Sequence, residues 1–179
     1  MKRMKRAVKA FVTAGSVAIA ALLLASCGFH LRGQAALPFE SLYVSGSPSF
    51  ANQVARAVRA GSTTRITDNP KTAQATLQIL SESRERVILS LSAAGRVREL
   101  TLRYKVSYRL TDPAGREFIH PSDIALNRDI TYNDTDVLGK EQEEALLYRD
   151  MQNDAVQQMV RRLQLAKLET EEEGAKSAK

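Results

Sequence analysis

The sequence predicts an α+β domain, a two-layer sandwich with two helices packed on one face of a four-stranded mixed sheet. Three observations predict it. Segments near residues 49–61 and 140–167 repeat apolar side chains at the helical period of 3.6. Residues 75–132 instead alternate with a period of two and are punctuated by turn formers. Two apolar helix stripes and one apolar sheet face must be buried together, and helices gathered on one side of a sheet bury all three.

Ser41 to Val44 forms a first short strand, closed by Ser45, Gly46, Ser47 and Pro48. Ser49 then caps a helix in which Phe50, Val54, Ala57 and Val58 share a face, with Gly61 suited to its C-terminal cap. The polar stretch TTRITDNPKTA (63–73) reads as a loop. From Ala75, Leu77 and Ile79 have the parity of Val87, Leu89 and Leu91, with SESRER (81–86) between them. This is either one long strand with a polar, bulged middle or two short strands. Ala93, Ala94 and Gly95 make a turn. Leu100, Leu102, Tyr104, Val106, Tyr108 and Leu110 then point one way, and Thr101, Arg103, Lys105, Ser107 and Arg109 the other. Asp112-Pro113-Ala114-Gly115 has the residue order of a type I turn. Ser122 to Tyr132 supplies the last strand, with Ile124, Leu126, Ile130 and Tyr132 on one face and Arg128 breaking it. In the final helix, Lys140 to Lys167, the stripe is Leu147, Met151, Ala155, Val156, Met159, Val160 and Leu163.

The ends differ from this domain. Lys2, Arg3, Lys5, Arg6 and Lys9 precede an apolar run from Ala10 to Leu24, the order of a secretory signal peptide. The run is short for a membrane span, which needs about 20 apolar residues. Leu24-Ala25-Ser26-Cys27 resembles the bacterial lipobox, in which small residues admit the signal peptidase and the thiol accepts a diacylglycerol. Residues 1–26 are therefore expected to be removed, leaving Cys27 with S-diacylglycerol and an N-acyl chain such as palmitate. Several acyl chains make membrane attachment stable where one does not. Cys27 is the only cysteine, so no disulfide forms within the chain. Gly28 stands where Asp would favour inner-membrane retention, which points to the outer membrane. Residues 27–40 read as acylated N-terminus and linker, 41–167 as one domain, and 168–179 as a disordered charged tail. Loss of five signal cations takes the formal charge from +6 to about +1, so the basic whole-chain balance gives no reason to expect a nucleic-acid partner.

No catalytic constellation is visible. The two histidines, His30 and His120, lack neighbours at metal-ligand spacing, and neither a glycine-rich phosphate loop nor a G-x-S-x-G elbow occurs. The chain is read as a non-enzyme with no cofactor and no metal. Arg84, Arg86, Arg96, Arg98, Arg103, Lys105 and Arg109 cluster on one face and one end of the sheet if their strands pair. They are either a solvated surface or a surface for phosphate-bearing or acidic partners, since Arg offers a planar fork to phosphate oxygens.

LASCGFHLRG (24–33), FANQVARAVRAG (50–61) and EALLYRDMQNDAVQQMVRRL (144–163) together resemble the LptE family of lipopolysaccharide-assembly lipoproteins. The resemblance implies an outer-membrane lipoprotein that plugs the lumen of the LptD β-barrel from the periplasmic side, assists barrel assembly and binds lipopolysaccharide for delivery to the outer leaflet. By position it makes Arg96, Arg98 and Lys140 candidate lipopolysaccharide-binding residues. It is weakest at the turn, where Ala93 and Ala94 stand in place of a polar or basic residue before the glycine. The alternative is a free-standing lipoprotein that binds or carries lipid without a barrel, which a deep apolar cavity between sheet and helices would favour.

Overall fold

The computed structural model describes residues 36–132 and 137–166. The signal segment, Cys27, the Gly28–Gly33 signature and the charged tail lie outside the described residues. The elements are β1 (Ser41–Ser45), α1 (Pro48–Gly61), β2 (Arg65–Ile66), β3 (Ala75–Leu91), β4 (Val97–Thr111), β5 (Glu117–Thr131) and α2 (Val137–Gln164). The sheet order is β2-β1-β3-β4-β5, with β1 parallel to β2 and β3, and β3, β4 and β5 antiparallel. Both helices cover one face, so the α+β sandwich is the observed class.

The sheet has five strands rather than the expected four. The extra one, β2, lies in the stretch read as a loop and pairs Arg65 and Ile66 with Ser41 and Leu42. Its ladder is anchored by Arg65 N–H to Glu40 O (2.8 Å) and Thr67 N–H to Leu42 O (3.0 Å). Two residues are too few to show any alternation, so the pairing comes from β1 and not from a pattern in β2.

Helix α1 starts one residue before the expected cap. Pro48 occupies its first turn, where a missing N–H costs nothing, and Ser47 is the N-cap residue. The helix ends without a left-handed glycine: Gly61 is its last residue, and Ser62 closes it by donating N–H and Oγ–H to Val58 O (2.9 and 2.8 Å). Its buried side chains are Phe50, Ala51, Val54, Ala55 and Val58.

Strand β3 is one continuous strand, and its parity changes inside it. A register shift between Ile79 and Ser81 leaves Leu80 out of the alternation and about half exposed. Leu77 and Ile79 therefore face the helices, but beyond the shift the residues on that side are Glu82, Arg84 and Arg86, opposite Val106, Tyr104 and Leu102. The expectation that Val87 continues the Leu77–Ile79 face is corrected by this one bulge.

The two hairpins share one loop design. Ser92 and Asp112 donate N–H to the carbonyls of Arg96 and Arg116, and Gly95 and Gly115 sit at φ +75° and +84°. This is the three-residue hairpin loop that needs glycine at its left-handed position. Strand β5 begins at Glu117, five residues earlier than predicted. Pro121 fits there because β5 is an edge strand that pairs only with β4.

Helix α2 begins at Val137 and ends at Gln164, each three residues before the predicted bound. Met151, Ala155, Val156, Met159 and Leu163 are buried as expected, while Leu147 and Val160 are only partly covered. Tyr148 and Gln152 join the buried stripe. The core is continuous from Phe50, Val54 and Val58 through Met151, Met159 and Leu163 to Leu102, Tyr104, Val106, Tyr108 and Leu110.

Candidate functional site

One partly buried seam and two surfaces follow from this arrangement. The seam runs beneath α1 and α2 where β3 presents its polar middle. Glu82 accepts hydrogen bonds from Ser47 Oγ (2.5 Å) and from the fully buried Tyr104 hydroxyl (2.7 Å). Arg84 lies over the rings of Tyr104 and Tyr148, 5.9 and 5.5 Å from their centroids, and reaches Gln152 Oε1 at 3.5 Å. Gln152 donates onward to Ser49 Oγ (3.2 Å), and the Tyr148 hydroxyl donates to Glu85 O (2.7 Å). Burial pushes the Tyr104 phenol far above its ordinary range, and the Glu82 carboxylate beside it adds to the shift. Tyr148 is raised too, by burial first and then by Glu144. Both phenols stay protonated and act as donors. Among the described residues no buried side-chain polar atom lacks a partner.

The opposite face of the sheet is covered by neither of the described helices. Arg103 lies across from Glu85 and Asn127, Lys105 from Ser83 and Ala125, and Arg109 from Gln78. Lys105 pairs with Asp123 (2.9 Å), which also accepts from Ser107 Oγ (2.5 Å). These contacts hold the Asp123 carboxyl below its usual range. Thr101 donates to Asp129 (2.6 Å), and Arg109 donates to Gln78 (2.7 Å). Cations and carboxylates thus interleave in a polar ladder suited to a hydrated partner. The expected cation cluster is divided: Arg103, Lys105 and Arg109 are on this face, whereas Arg84 and Arg86 are on the helix side. Arg86 is bound to Glu144 of α2 at 2.8 Å.

The second surface is the β3–β4 end. Arg96 closes the turn and Arg98 is the second residue of β4, with Arg98 O accepting from Tyr132 N–H (2.7 Å). Lys140 is in the first turn of α2, where it is bonded to Glu143 (2.8 Å). The three candidate residues are therefore gathered at one end of the domain without touching one another in the contacts described. Ile88, Leu89 and Leu91 are each more than half exposed at the same end.

None of this resembles a reaction centre. His120 is paired with Glu117, and His30 lies outside the described residues. Among the described residues no group of His, Cys, Asp or Glu is arranged to hold a metal ion. No described helix is long and apolar enough to cross a membrane. A surface cleft of about 610 Å³ between the helices is lined chiefly by Gln53, Arg56, Arg149, Gln152, Asn153 and Gln157. A second, of about 470 Å³, lies beside Arg84, Arg86, Glu141, Glu144 and Tyr148. Charged and amide side chains predominate in both linings.

Fold and surfaces define an α+β sandwich whose two described helices cover one sheet face and not the polar one. The profile of the LptE family, lipopolysaccharide-assembly, matches residues 39–163, and the chain belongs to that family. A relative from Pectobacterium atrosepticum, named LPS-assembly lipoprotein LptE, is 29% identical over 153 residues, covering 81% of this chain and 80% of its own. Among solved structures, a lipoprotein B from Nitrosomonas europaea is 39% identical with a TM-score of 0.65, over 75% of this chain and 88% of that one. Rare lipoprotein B from Shewanella oneidensis is 27% identical with a TM-score of 0.59, over 68% and 91%.

Proposed function

We propose that this chain is a lipid-anchored, non-enzymatic subunit of the outer-membrane lipopolysaccharide translocon. In this reading residues 1–26 are removed, Cys27 carries the acyl chains, residues 27–40 tether the domain, and the domain plugs the lumen of the LptD barrel from the periplasmic side. It assists assembly of that barrel and binds lipopolysaccharide, with Arg96, Arg98 and Lys140 as the phosphate-contacting candidates.

The observation that carries the reading is the polar face of β3, β4 and β5, left uncovered by the described helices, in a chain of the LptE family. A barrel lumen is lined by polar side chains, so a ladder of Arg, Lys, Asp, Thr and Ser meets a wall of its own kind. Charge-assisted bonds from Arg and Lys to phosphate are the strong ones, which suits the basic end to lipid A. The free-standing carrier reading calls for an apolar cavity between layers. Phe50, Val54, Met151, Met159 and Leu163 instead fill that space against the sheet.

Affinity capture from detergent-solubilised membranes tests the reading. The expected result is co-purification of a large LptD-type barrel, and a folded, membrane-bound chain that brings down no barrel contradicts it. Charge reversal at Arg96, Arg98 and Lys140 together is expected to weaken lipopolysaccharide binding. Unchanged affinity with an intact fold would make these residues a solvated or wall-facing surface.

A further inference from the structure

The two helices run side by side in the same direction. Helix α1 links the parallel strands β1 and β2, so it returns antiparallel to them. Strand β5 has the direction of β1, because β3 is parallel to β1 and two antiparallel pairings separate β3 from β5. Helix α2 returns along β5, with Asp154 beside Arg128 and Arg162 beside Asp123. Both helices therefore finish at the same end of the sandwich, and the chain beyond Ala166 leaves from there.

The seam between the helices opens into the cleft of about 610 Å³. Arg56 of α1 and Arg149 of α2 stand on its two walls with Gln53, Asn153 and Gln157, and none of its lining residues is acidic. Helix α1 contains no Asp or Glu at all. Elsewhere in the domain cations are matched: Arg86 with Glu144, Lys105 with Asp123, Arg116 with Asp112 and Arg128 with Asp154. Among the described residues Arg56 and Arg149 have no such carboxylate. Two guanidinium groups facing an acid-free cleft suit carboxylates, whose paired oxygens accept the planar fork.

The sequence that follows α2 supplies this chemistry at the matching distance. Glu169, Glu171, Glu172 and Glu173 come soon after Ala166, and no large apolar side chain follows Leu168, so charge dominates what this segment can offer. Along α2, Gln157 and Arg149 lie about 10 and 23 Å back from Gln164, at about 1.5 Å per residue. An extended chain, at about 3.3 Å per residue, carries Glu169 and Glu173 about 10 and 23 Å beyond Ala166. A segment that doubles back between the helices thus brings its acids level with the cleft. Ala60, one turn beyond Ala57 on α1, keeps that side of the path free of bulky side chains.

We propose that the acidic segment 169–173 folds back along α2 and occupies the cleft between the helices, with its carboxylates on Arg56 and Arg149. The cleft is then a docking site for the chain's own downstream segment. Nothing in this contact depends on the barrel or on lipopolysaccharide.

Zero-length carbodiimide coupling tests the contact, because it joins an amine only to a carboxylate that touches it. The full lipidated protein is prepared with Arg149→Lys, which gives the cleft an amine and keeps its charge. Arg161→Lys is the control, nearer the start of the segment but on the β5-facing side of α2 with Asp154. Each is coupled in detergent as a mixture of isotope-labelled and unlabelled chains, and the links are read by mass spectrometry. The pairs Lys105–Asp123 and Lys140–Glu143 supply reference links in every sample. The expected product joins position 149 to Glu171, Glu172 or Glu173 of the same chain, in about fivefold or higher yield than links to this segment from position 161. Adding Arg56→Glu should lower that yield by about threefold or more.

Reference links without a link from position 149 to the segment overturn the proposal. Equal yields from positions 149 and 161 also overturn it, because the segment would then meet the helix at random. Links that join labelled to unlabelled chains overturn it by putting a second copy in the cleft, and a yield indifferent to Arg56→Glu removes its electrostatic basis. Circular dichroism checks that each variant is folded, and Arg56→Gln takes the place of Arg56→Glu if the reversal unfolds the domain.

Discussion

Two glycines, Gly46 where β1 turns into α1 and Gly95 in the β3–β4 turn, separate backbone strain from close packing. Gly46 and Gly95 both hold a positive φ, +110° and +75°. A methyl group added at Gly95 meets nothing within 4 Å. At Gly46 it would lie 2.3 Å from Ile79 O and 2.7 Å from Ile79 Cβ, inside the β3 segment where the bulge begins. An alanine forced to positive φ costs about 1–2 kcal/mol at either site. Overpacking against backbone adds about 1–3 kcal/mol, and only at Gly46. Gly95→Ala should therefore lose about 1–2 kcal/mol and Gly46→Ala about 2–5 kcal/mol. Thermal unfolding of the detergent-purified protein, followed by circular dichroism, should place the two midpoints about 5–10 °C apart, given several degrees per kcal/mol for domains near this size. Equal losses at the two sites would refute the reasoning, since the close approach of β1 to the bulged strand would not exist. Urea titration provides the same comparison without the temperature dependence.

Other outcomes follow from the same geometry. Tyr104→Phe removes a donor from Glu82 and should cost about 1–3 kcal/mol in urea unfolding; a loss below about 0.5 kcal/mol would mean that water already serves that carboxylate. Met159→Ala, in the apolar part of the same interface, should cost about 2–5 kcal/mol by the same measurement. Asp112 is nearly buried, yet its acidity is enhanced: burial alone would raise its carboxyl, and the Arg116 Nε and N–H bonds (2.7 and 2.8 Å) outweigh it. Because the folded value lies below the unfolded one, its stabilising contribution is complete above the ordinary carboxylate range and disappears as pH falls through the lowered value. Asp112→Asn should accordingly flatten the acid limb of a stability-against-pH profile. Cys27→Ser should abolish lipidation and normal signal processing, and acylation persisting at this position, read by mass spectrometry, would remove the basis for the anchor.

Much of the fold is legible in the sequence because its periods are long. Strand β4 shows six alternations and α2 nearly eight turns; β4 positions its core residues as expected, and α2 does so for Met151, Ala155, Val156, Met159 and Leu163. The misreadings are local and have physical causes. A single shifted residue, Leu80, inverts the parity of β3, so Glu82, Arg84 and Arg86 stand on the helix side of the sheet where alternation put them opposite. The adjacent pair Ile79-Leu80 is the only hint, since two consecutive apolar residues fit a parity change as well as a buried run. Arg128 reads as a break in β5 but keeps the core-side parity and pairs with Asp154 at the rim of α2 (3.0 Å). Tyr148 and Gln152 look like ordinary helix residues until Arg84 is placed between the two tyrosine rings. Strand β2 is invisible because its partner, not its own composition, creates it.

The candidate surfaces divide in the same way. The polar alternate face of β4 follows directly from alternation. That Lys105 and Arg109 are held by Asp123 and Gln78 depends on cross-strand register, which turn lengths and bulges set. The gathering of Arg96, Arg98 and Lys140 at one end depends on helix α2 starting where β5 ends, a matter of topology rather than local pattern.

The central claim is that the open face of the sheet meets a barrel wall, and site-specific photo-crosslinking in living cells tests it most directly. With a photoreactive side chain replacing Arg103, in the middle of that face, irradiation should yield one large adduct that contains an LptD-type barrel. A membrane-anchored, correctly folded protein that gives no barrel adduct from position 103 would contradict the account.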